Sequence, residues 1–218
     1  MPLLTLPVVL QLAVVHAPAV APETVAAFAQ AESKLDPLAV HDNTTGLTYT
    51  RQTPAEAVTL ARSLLVQEHS LDLGLMQIND ANLDRTGLTV ESAFDPGRSV
   101  EAGAQIMVVA YRQCQPGRSE PDALRCMASV YNTGREQAGI RNGYVARVWR
   151  AADVVVPAIR KPVETTPAPA AATPPPSNPC GPPPPSWDGW AVAGYGRCVR
   201  REAALAAQPS PQATESKQ

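Results

Sequence analysis

Proline divides this chain into two parts that cannot fold in the same way. More than half of its 23 prolines fall between residues 157 and 185, where alanine and threonine are the commonest other residues. Such a stretch has almost nothing to bury and favours an extended, partly polyproline conformation. The sequence therefore predicts a globular body over residues 20–157, a linker over 158–186, and a short, partly disordered C-terminal region over 187–218.

An apolar segment, residues 1–19, precedes the body. Its run from Leu3 to Val15 is shorter than the roughly 20 apolar residues that a membrane-spanning helix needs. Ala17-Pro18-Ala19 has the small residues of a signal cleavage site, but no Lys or Arg precedes the run and prolines interrupt it. Both a weak export signal and a buried N-terminal segment fit this pattern.

Charge and histidine spacing argue against two classes of function. The formal net charge of −2 at pH 7 gives no electrostatic basis for binding nucleic acid or anionic lipid. His41 and His69 have no partner at a metal-ligand spacing, so surface positions are expected for both and no metal site is predicted.

The four cysteines fall in two sequence-local pairs, Cys114 with Cys126 and Cys180 with Cys198. Neither spacing resembles a structural zinc site. Two disulfides in an oxidising compartment fit this arrangement. On the count alone, four reduced and unconnected thiols fit almost as well.

The body is predicted to be mainly α-helical. Apolar residues recur at helical spacing in five segments, residues 22–35, 54–68, 98–114, 121–131 and 142–155. Thr53-Pro54-Ala55-Glu56 has the form of a capping box with proline at the first helical position. The apolar, glycine-containing run from Leu73 to Asn79 favours a short buried strand or turn.

Glu32 lies in the last turn of the first of these helices, which Pro37 should end by about Leu35. The helix dipole there favours cations, and burial among alanines would raise the pKa of a carboxyl group. A carboxyl that stays protonated near neutral pH can act as a general acid. A lone glutamate at a helix end is more often solvated, so the rest of the chain decides between the two interpretations.

Four short motifs follow one another along the chain. They are Glu32-Ser33 with Pro37, Gly74-Leu75-Met76-Gln77-Ile78, Tyr131-Asn132-Thr133-Gly134, and Tyr144 with Val145 and Val148. Each is weak alone, and their order makes the signal specific. Over roughly residues 17–150 the chain resembles the lysozyme-like lytic transglycosylases, specifically the branch that accompanies type IV secretion and conjugation machines.

The resemblance implies a lysozyme-like helical domain with a short irregular or β segment at a cleft. It also implies cleavage of the β-1,4 bond between N-acetylmuramic acid and N-acetylglucosamine in peptidoglycan, with a 1,6-anhydro product and no metal or cofactor. The expected location is the periplasm, where the enzyme would open the wall locally for a secretion or conjugation apparatus. A lysozyme-type hydrolase and a largely non-catalytic, glycan-binding assembly factor are the alternatives.

Site residues are carried over from the same resemblance. Glu32 matches the catalytic acid of the family, and the segment from Gly74 to Ile78 matches the lining of its sugar cleft. Gly74 would let the backbone approach a ligand, Met76 would form an apolar wall beside the acid, and Gln77 would hydrogen-bond an N-acetyl sugar.

Three further residues complete the predicted site. Tyr131 matches a tyrosine beside the catalytic acid, where its hydroxyl can orient or donate to the carboxyl group. Asn132 is expected either to cap its helix or to touch substrate. Tyr144 matches a second family tyrosine, for which a purely packing role is the alternative.

A hydrolase of this bond would need a second carboxylate across the scissile bond. Asp36 follows Glu32 by four residues and would lie alongside it rather than opposite. Asp42 belongs to a turn, and with Asn43 it is expected to hold that loop. Asp72 is the best contender, although a loop cap explains it equally well. The sequence therefore favours a single carboxylate, with the substrate's own C6 hydroxyl as nucleophile.

The chain departs from this family in two places. Members of the branch often carry a cysteine pair where this chain has His16 and Gly97, so an N-terminal covalent tie is expected to be missing. A small aromatic island around Trp187, Trp190 and Tyr195 follows the linker. It is either a structureless tail or a docking motif for components of a type IV secretion machine.

Overall fold

A computed structural model describes residues 3–160 and, further on, Cys180, Tyr195 and residues 197–203. The chain divides into two compact units, residues 1–162 and 163–218. Apart from residues 158–160 and Cys180, the predicted linker lies outside the described residues, as does most of the aromatic island. Among the described helices, none combines the length and the apolar character that crossing a membrane requires.

The first unit is mainly α-helical with a small antiparallel sheet, which confirms the predicted fold class. Within residues 3–160 the helices are α1 (Leu6–His16), α2 (Pro22–Ser33), α3 (Pro54–Val66), α4 (Leu83–Thr86), α5 (Pro96–Cys114), α6 (Glu120–Thr133), α7 (Ala138–Arg141) and α8 (Tyr144–Arg160). The strands are β1 (Val40–Asp42), β2 (Leu47–Tyr49), β3 (Leu71–Leu73) and β4 (Ile78–Asn79).

Polar side chains fix where the longer helices begin. The capping box predicted for α3 is present: the Thr53 hydroxyl accepts from the Glu56 N–H at 3.3 Å, and the Glu56 carboxylate accepts from the Thr53 N–H at 3.3 Å. Asp95 accepts from the third N–H of α5 at 2.8 Å, and Ser119 caps α6. Each cap satisfies donors that a helix start leaves without partners.

The end of α2 is held from outside the helix. Lys34 and Leu35 adopt left-handed backbone angles, with φ of 55° and 67°, so the helix stops at Ser33. The Ser33 hydroxyl donates to the carbonyls of Ala29 at 3.2 Å and Leu75 at 2.8 Å. Asp36, the residue before Pro37, accepts from the Leu38 N–H at 2.9 Å. These contacts fix the position of the last turn, which carries Glu32.

The sheet has the strand order β2-β1-β3-β4, with every neighbouring pair antiparallel. In β3, Leu71 and Leu73 are buried in the core while Asp72 between them is half-buried. Because successive side chains of a strand point to opposite faces, the Asp72 side chain points to the face of the sheet opposite the core. β3 and β4 enclose the tight turn formed by residues 74–77.

Helix α2 is the centre of the helical packing, since it contacts both α1 and α8. Phe28, one turn before Glu32, is almost fully buried. Its ring makes edge contacts with the rings of Tyr131 and Tyr144, at centroid distances of 5.1 and 6.3 Å. The two tyrosines of the predicted site are therefore packed around the helix that carries the predicted acid.

Helix α1 packs into the same unit, with Val9 and Ala13 fully buried. The two positions at which the family often carries cysteines are in contact here. A Cβ atom added to Gly97, near the start of α5, would lie 2.7 Å from Nε2 of His16. The imidazole of His16 thus packs on Gly97, at the two positions where members of the family often carry a cysteine pair.

This contact predicts a coupling between residues 16 and 97. Alanine is favoured over glycine in a helix by up to about 1 kcal/mol, but with His16 present the new methyl group meets the imidazole. We therefore expect Gly97→Ala to be neutral or destabilising in the wild-type background and stabilising when combined with His16→Ala. Urea unfolding of the four proteins of this cycle measures the coupling. An equal effect of Gly97→Ala in both backgrounds would show that His16 does not pack on Gly97 in solution.

Candidate active site

A cavity of about 630 Å³ opens between the sheet, α4, α5 and the C-terminal end of α6. Its volume lies within the range of small-molecule sites. Four of the predicted site residues line it: Glu32, Gln77, Tyr131 and Asn132. Asp72, the contender for a second carboxylate, lines it as well. The structure thus brings together residues that are up to 100 positions apart in the chain.

Glu32 carries the most strongly perturbed carboxyl group of this cavity. Burial raises its pKa to about 7. A hydrogen bond from Tyr144 opposes that rise, the charge of Asp72 adds to it, and the charge of Arg147 opposes it. The carboxyl group is therefore partly protonated at neutral pH, which is the state that a general acid needs.

The hydroxyl that contacts Glu32 belongs to Tyr144, which donates to Oε1. The resemblance placed this contact at Tyr131, whose hydroxyl instead donates to the Met76 carbonyl at 2.8 Å. Burial, followed by the charge of Glu32, raises the pKa of both phenols well above 10. Tyr144 therefore remains a donor to Glu32, and the guanidinium of Arg147 lies 4.9 Å from the centre of its ring.

Gly74 and Met76 shape the turn rather than the cavity wall. Gly74 has a φ of 73°, and a Cβ atom there would lie 2.1 Å from the Ala93 carbonyl oxygen. The close approach that requires glycine is therefore to the chain's own backbone. Met76 is fully buried, and a Cβ atom at Gly103 would lie 3.0 Å from its Cε. Its contribution to the site is the backbone carbonyl that holds Tyr131.

Gln77 faces the cavity from a left-handed backbone conformation, with a φ of 47°. Such a conformation costs a non-glycine residue on the order of 1–3 kcal/mol and is typical of functional sites. Its Nε2 donates to the carbonyls of Gly74 at 2.8 Å and Ala39 at 3.2 Å. Since these bonds use both amide hydrogens, Gln77 offers the cavity its carbonyl oxygen, an acceptor for an N–H group.

Asp72 is the second carboxyl group of the cavity. It accepts from Nδ2 of Asn79 at 2.8 Å and from Asn43. Burial raises its pKa, and these hydrogen bonds oppose the rise. The sequence could not separate a cleft position from a loop cap for Asp72, and the structure gives it a place in the cavity.

The other two aspartates lie elsewhere. Asp36 is the buried turn residue described above. Asp42 is fully buried and accepts from the N–H groups of Thr44 and Thr45, the Thr45 hydroxyl and Nδ1 of His69. Although burial opposes it, this set of hydrogen bonds lowers the pKa of Asp42 to about 2. His69, expected at the surface, is thus half-buried and anchors the loop.

Asn132 lies at the cavity and also supports the acid indirectly. Its Oδ1 accepts from Nδ2 of Asn142 at 3.1 Å, and Oδ1 of Asn142 accepts from the Tyr144 N–H at 3.0 Å. The C-terminal cap of α6 is instead Gly134 in a left-handed conformation. Asn132 therefore fixes the start of α8, where Tyr144 lies, rather than the end of its own helix.

Sequence reasoning missed two serines whose hydroxyl groups fix the backbone of the 74–77 turn. Ser33 binds the 74–77 turn through Leu75, and the fully buried Ser99 accepts from the Met76 N–H at 3.1 Å. Ser33 carried a signal because it forms a motif with Glu32. Ser99 lies in the first turn of α5, and only the structure reveals its partner.

Both cysteine pairs form disulfides. Cys114 and Cys126 join α5 to α6, with Cα atoms 5.7 Å apart. Cys180 and Cys198 are joined in the second unit, with Cα atoms 5.8 Å apart. The cysteine count alone was compatible with two disulfides or with four reduced thiols, and the structure has the two disulfides.

Comparison with known proteins identifies the family. Residues 13–148 match the model of the transglycosylase SLT domain. Because this match covers more than half of the chain, the chain belongs to the transglycosylase SLT domain family, and the resemblance seen in its motifs is confirmed.

The similar proteins are virB1 proteins. "Protein virB1" of Agrobacterium fabrum is 46% identical over 141 residues, which are 65% of this chain and 58% of that protein. "Protein virB1" of Rhizobium radiobacter is 44% identical over 146 residues, 67% of this chain and 61% of that protein. "Type IV secretion system protein virB1" of Brucella suis is 38% identical over 172 residues, 72% of this chain and 69% of that protein. The chain thus spans about three-fifths of the length of the first two relatives. No solved structure matches it significantly.

Proposed function

We propose that this protein is a peptidoglycan lytic transglycosylase that acts in the periplasm for a type IV secretion or conjugation apparatus. The observation that carries the proposal is the half-buried Glu32 carboxyl group, with its pKa of about 7, in an open cavity. Membership of the transglycosylase SLT domain family and the printed names of the virB1 relatives support it.

The reaction uses one carboxyl group twice. Protonated Glu32 gives its proton to the oxygen that links N-acetylmuramic acid to N-acetylglucosamine, and the bond from that oxygen to C1 of the muramic sugar breaks. The ionised carboxylate then takes the proton of the C6 hydroxyl, whose oxygen bonds to C1. Glu32 ends protonated, no water is consumed, and the muramic product carries a 1,6-anhydro ring.

Neighbouring groups suit the two halves of this cycle. The Tyr144 hydroxyl donates to Glu32, so it stabilises the carboxylate formed after the first proton transfer. Asp72 lies in the same cavity, and its negative charge opposes ionisation of Glu32 before that transfer. Attack by the C6 hydroxyl is intramolecular and gains from proximity.

A hydrolase of the same bond is the second candidate, and Asp72 is the observation that favours it. A two-carboxylate glycosidase requires two carboxyl groups in one cavity, and Glu32 and Asp72 meet that requirement. In that reaction a water molecule, rather than the C6 hydroxyl, attacks C1. The largely non-catalytic assembly factor has less support, because a scaffold has no need of a carboxyl group with a raised pKa.

Product analysis separates the two reactions. We expect digestion of purified sacculi in ¹⁸O-labelled water to release muramic ends in the anhydro form, one water lighter than hydrolytic ends and without the label. Mass spectrometry of the released fragments measures both properties. Mainly reducing muramic ends that carry the labelled oxygen would refute the transglycosylase proposal and assign Asp72 as a second catalytic group.

A further inference from the structure

The proposed mechanism leaves one charged residue of the cavity unused. Of the described residues that line the cavity, three carry a charged group, Glu32, Asp72 and Arg85. Arg85 lies in α4 and is exposed. Unlike Arg62, Arg98 and Arg118, which each pair with a glutamate, it makes no hydrogen bond or ion pair with any described residue.

The α5 wall of the same cavity carries a distinctive set of side chains. Gln105, Ile106, Val109 and Gln113 all line it. Val109 is 62% exposed, which is a large fraction for an aliphatic side chain. Gln105 and Gln113 are exposed, and their amides are unpaired within the described part of the chain. This wall thus offers apolar surface and free amide groups, and Arg85 adds a cation from α4.

A bare sugar chain offers no partner for the charge of Arg85. The glycan backbone presents hydroxyl and acetamido groups, which carry no charge. A carboxylate occurs only on the lactyl arm of muramic acid, either as the free acid or at the end of a peptide that the arm carries. A peptide also brings methyl and amide groups, which suit Val109 and the two glutamines. Arg85 is the one cavity group among those described that attracts an anion, since Glu32 and Asp72 repel it.

We propose that Arg85 and the α5 wall form a subsite for the carboxylate-bearing lactyl arm of muramic acid. The inference rests on the proposed function, because it assumes a peptidoglycan substrate. It makes Arg85 a specificity-determining residue: it selects for substituted muramic sugars and takes no part in proton transfer.

The test compares Arg85→Gln with Arg112→Gln, a control that removes an exposed arginine of α5 outside the cavity lining. Three ligands are used: glycan strands with their peptides, the same strands after removal of the peptides by an amidase, and a neutral N-acetylglucosamine hexamer. Binding is measured by calorimetry in the Glu32→Gln background, and cleavage of both kinds of strand is measured with Glu32 intact.

We expect Arg85→Gln to raise Kd and KM for carboxylate-bearing strands by about two- to fivefold, the range expected of one solvent-exposed charge pair. The kcat and the Kd of the neutral hexamer should stay unchanged, and Arg112→Gln should change nothing. A loss confined to peptide-bearing strands assigns the carboxylate to the peptide, and a loss confined to amidase-treated strands assigns it to the free lactyl group. A loss on both kinds of strand shows that the subsite accepts either carboxylate.

Equal weakening for the neutral hexamer, or no weakening for either kind of strand, would overturn the subsite. The proposed function stands or falls separately. If wild-type protein releases no anhydro ends but Arg85→Gln still weakens binding of carboxylate-bearing strands alone, the subsite is supported and the transglycosylase proposal fails.

Discussion

Replacing Glu32 by glutamine is expected to lower peptidoglycan cleavage by about 10²–10⁴-fold, the usual contribution of general acid–base catalysis. Glutamine has nearly the same shape but has no proton to give to the leaving oxygen. Its side-chain oxygen can still accept the Tyr144 hydrogen bond, so the fold should be preserved. Release of anhydro-muramic fragments from sacculi measures the rate.

The stability of this variant gives a second, independent readout. A pKa raised by burial means that the folded protein holds the proton more tightly than the unfolded chain, so folding stability falls as pH rises from about 4.5 to about 7. Glutamine cannot ionise, so Glu32→Gln should be at least as stable as the wild type above pH 7. Urea unfolding at pH 5 and pH 8 measures this difference.

Glu23 supplies the matched control, because it lies in the first turn of the same helix and is exposed. Glu23→Gln should leave both cleavage and the pH dependence of stability close to wild type. If a folded Glu32→Gln protein keeps more than a few per cent of the wild-type rate, the acid is another group, and Asp72 becomes the first candidate.

Much of this structure follows from local sequence signals. The capping box at Thr53 starts a helix where it was expected, and Glu32 lies in the last turn of α2. Both depend on interactions within about four residues, which a single sequence displays directly. The mainly helical fold follows in the same way, from apolar residues at helical spacing.

The contacts within the site are less accessible from the sequence because they are not local. Tyr144 and Glu32 are 112 residues apart, and only the packing of α8 on α2 decides that this tyrosine, rather than Tyr131, reaches the carboxyl group. Met76 was expected beside the acid, but the turn at Gly74 directs its side chain into the core. Motif order thus named the candidates for the site, whereas the fold decides which of them line the cavity and what each one contacts.

The position of Asp72 depends partly on a local sequence pattern and partly on contacts that are distant in sequence. The alternation Leu71-Asp72-Leu73 is the pattern of a half-buried strand, but three residues are too few to separate a strand from a loop. Once β3 pairs with β1 and β4, the two leucines enter the core and Asp72 reaches the cavity. The pairing partner, rather than the segment itself, decides its place.

The contact between Tyr144 and Glu32 leads to the second large effect, that of Tyr144→Phe. Wild-type activity should fall as pH rises through about 7, because Glu32 then loses the proton that it must donate. The Tyr144 hydrogen bond lowers the pKa of Glu32 relative to burial alone. Its removal should therefore raise that pKa and move the alkaline limb of the pH profile to higher pH. The kcat should also fall, by up to about 10²-fold, because misplacement of a catalytic group can cost that much.

The fall in kcat and the shift of the alkaline limb show whether Tyr144 positions Glu32 or only packs against its neighbours. Tyr144 is 1% exposed and does not line the cavity, so Tyr144→Phe should leave KM unchanged, and phenylalanine should keep the packing of α8 on Phe28. Tyr131→Phe is the control, since that hydroxyl donates to the Met76 carbonyl, and its variant should leave the alkaline limb in place. The pH dependence of kcat from pH 5 to 9 decides the question. If the limb of Tyr144→Phe stays where it is or moves to lower pH, Tyr144 has only a packing role, and the contact with Glu32 does not set the proton affinity of the acid.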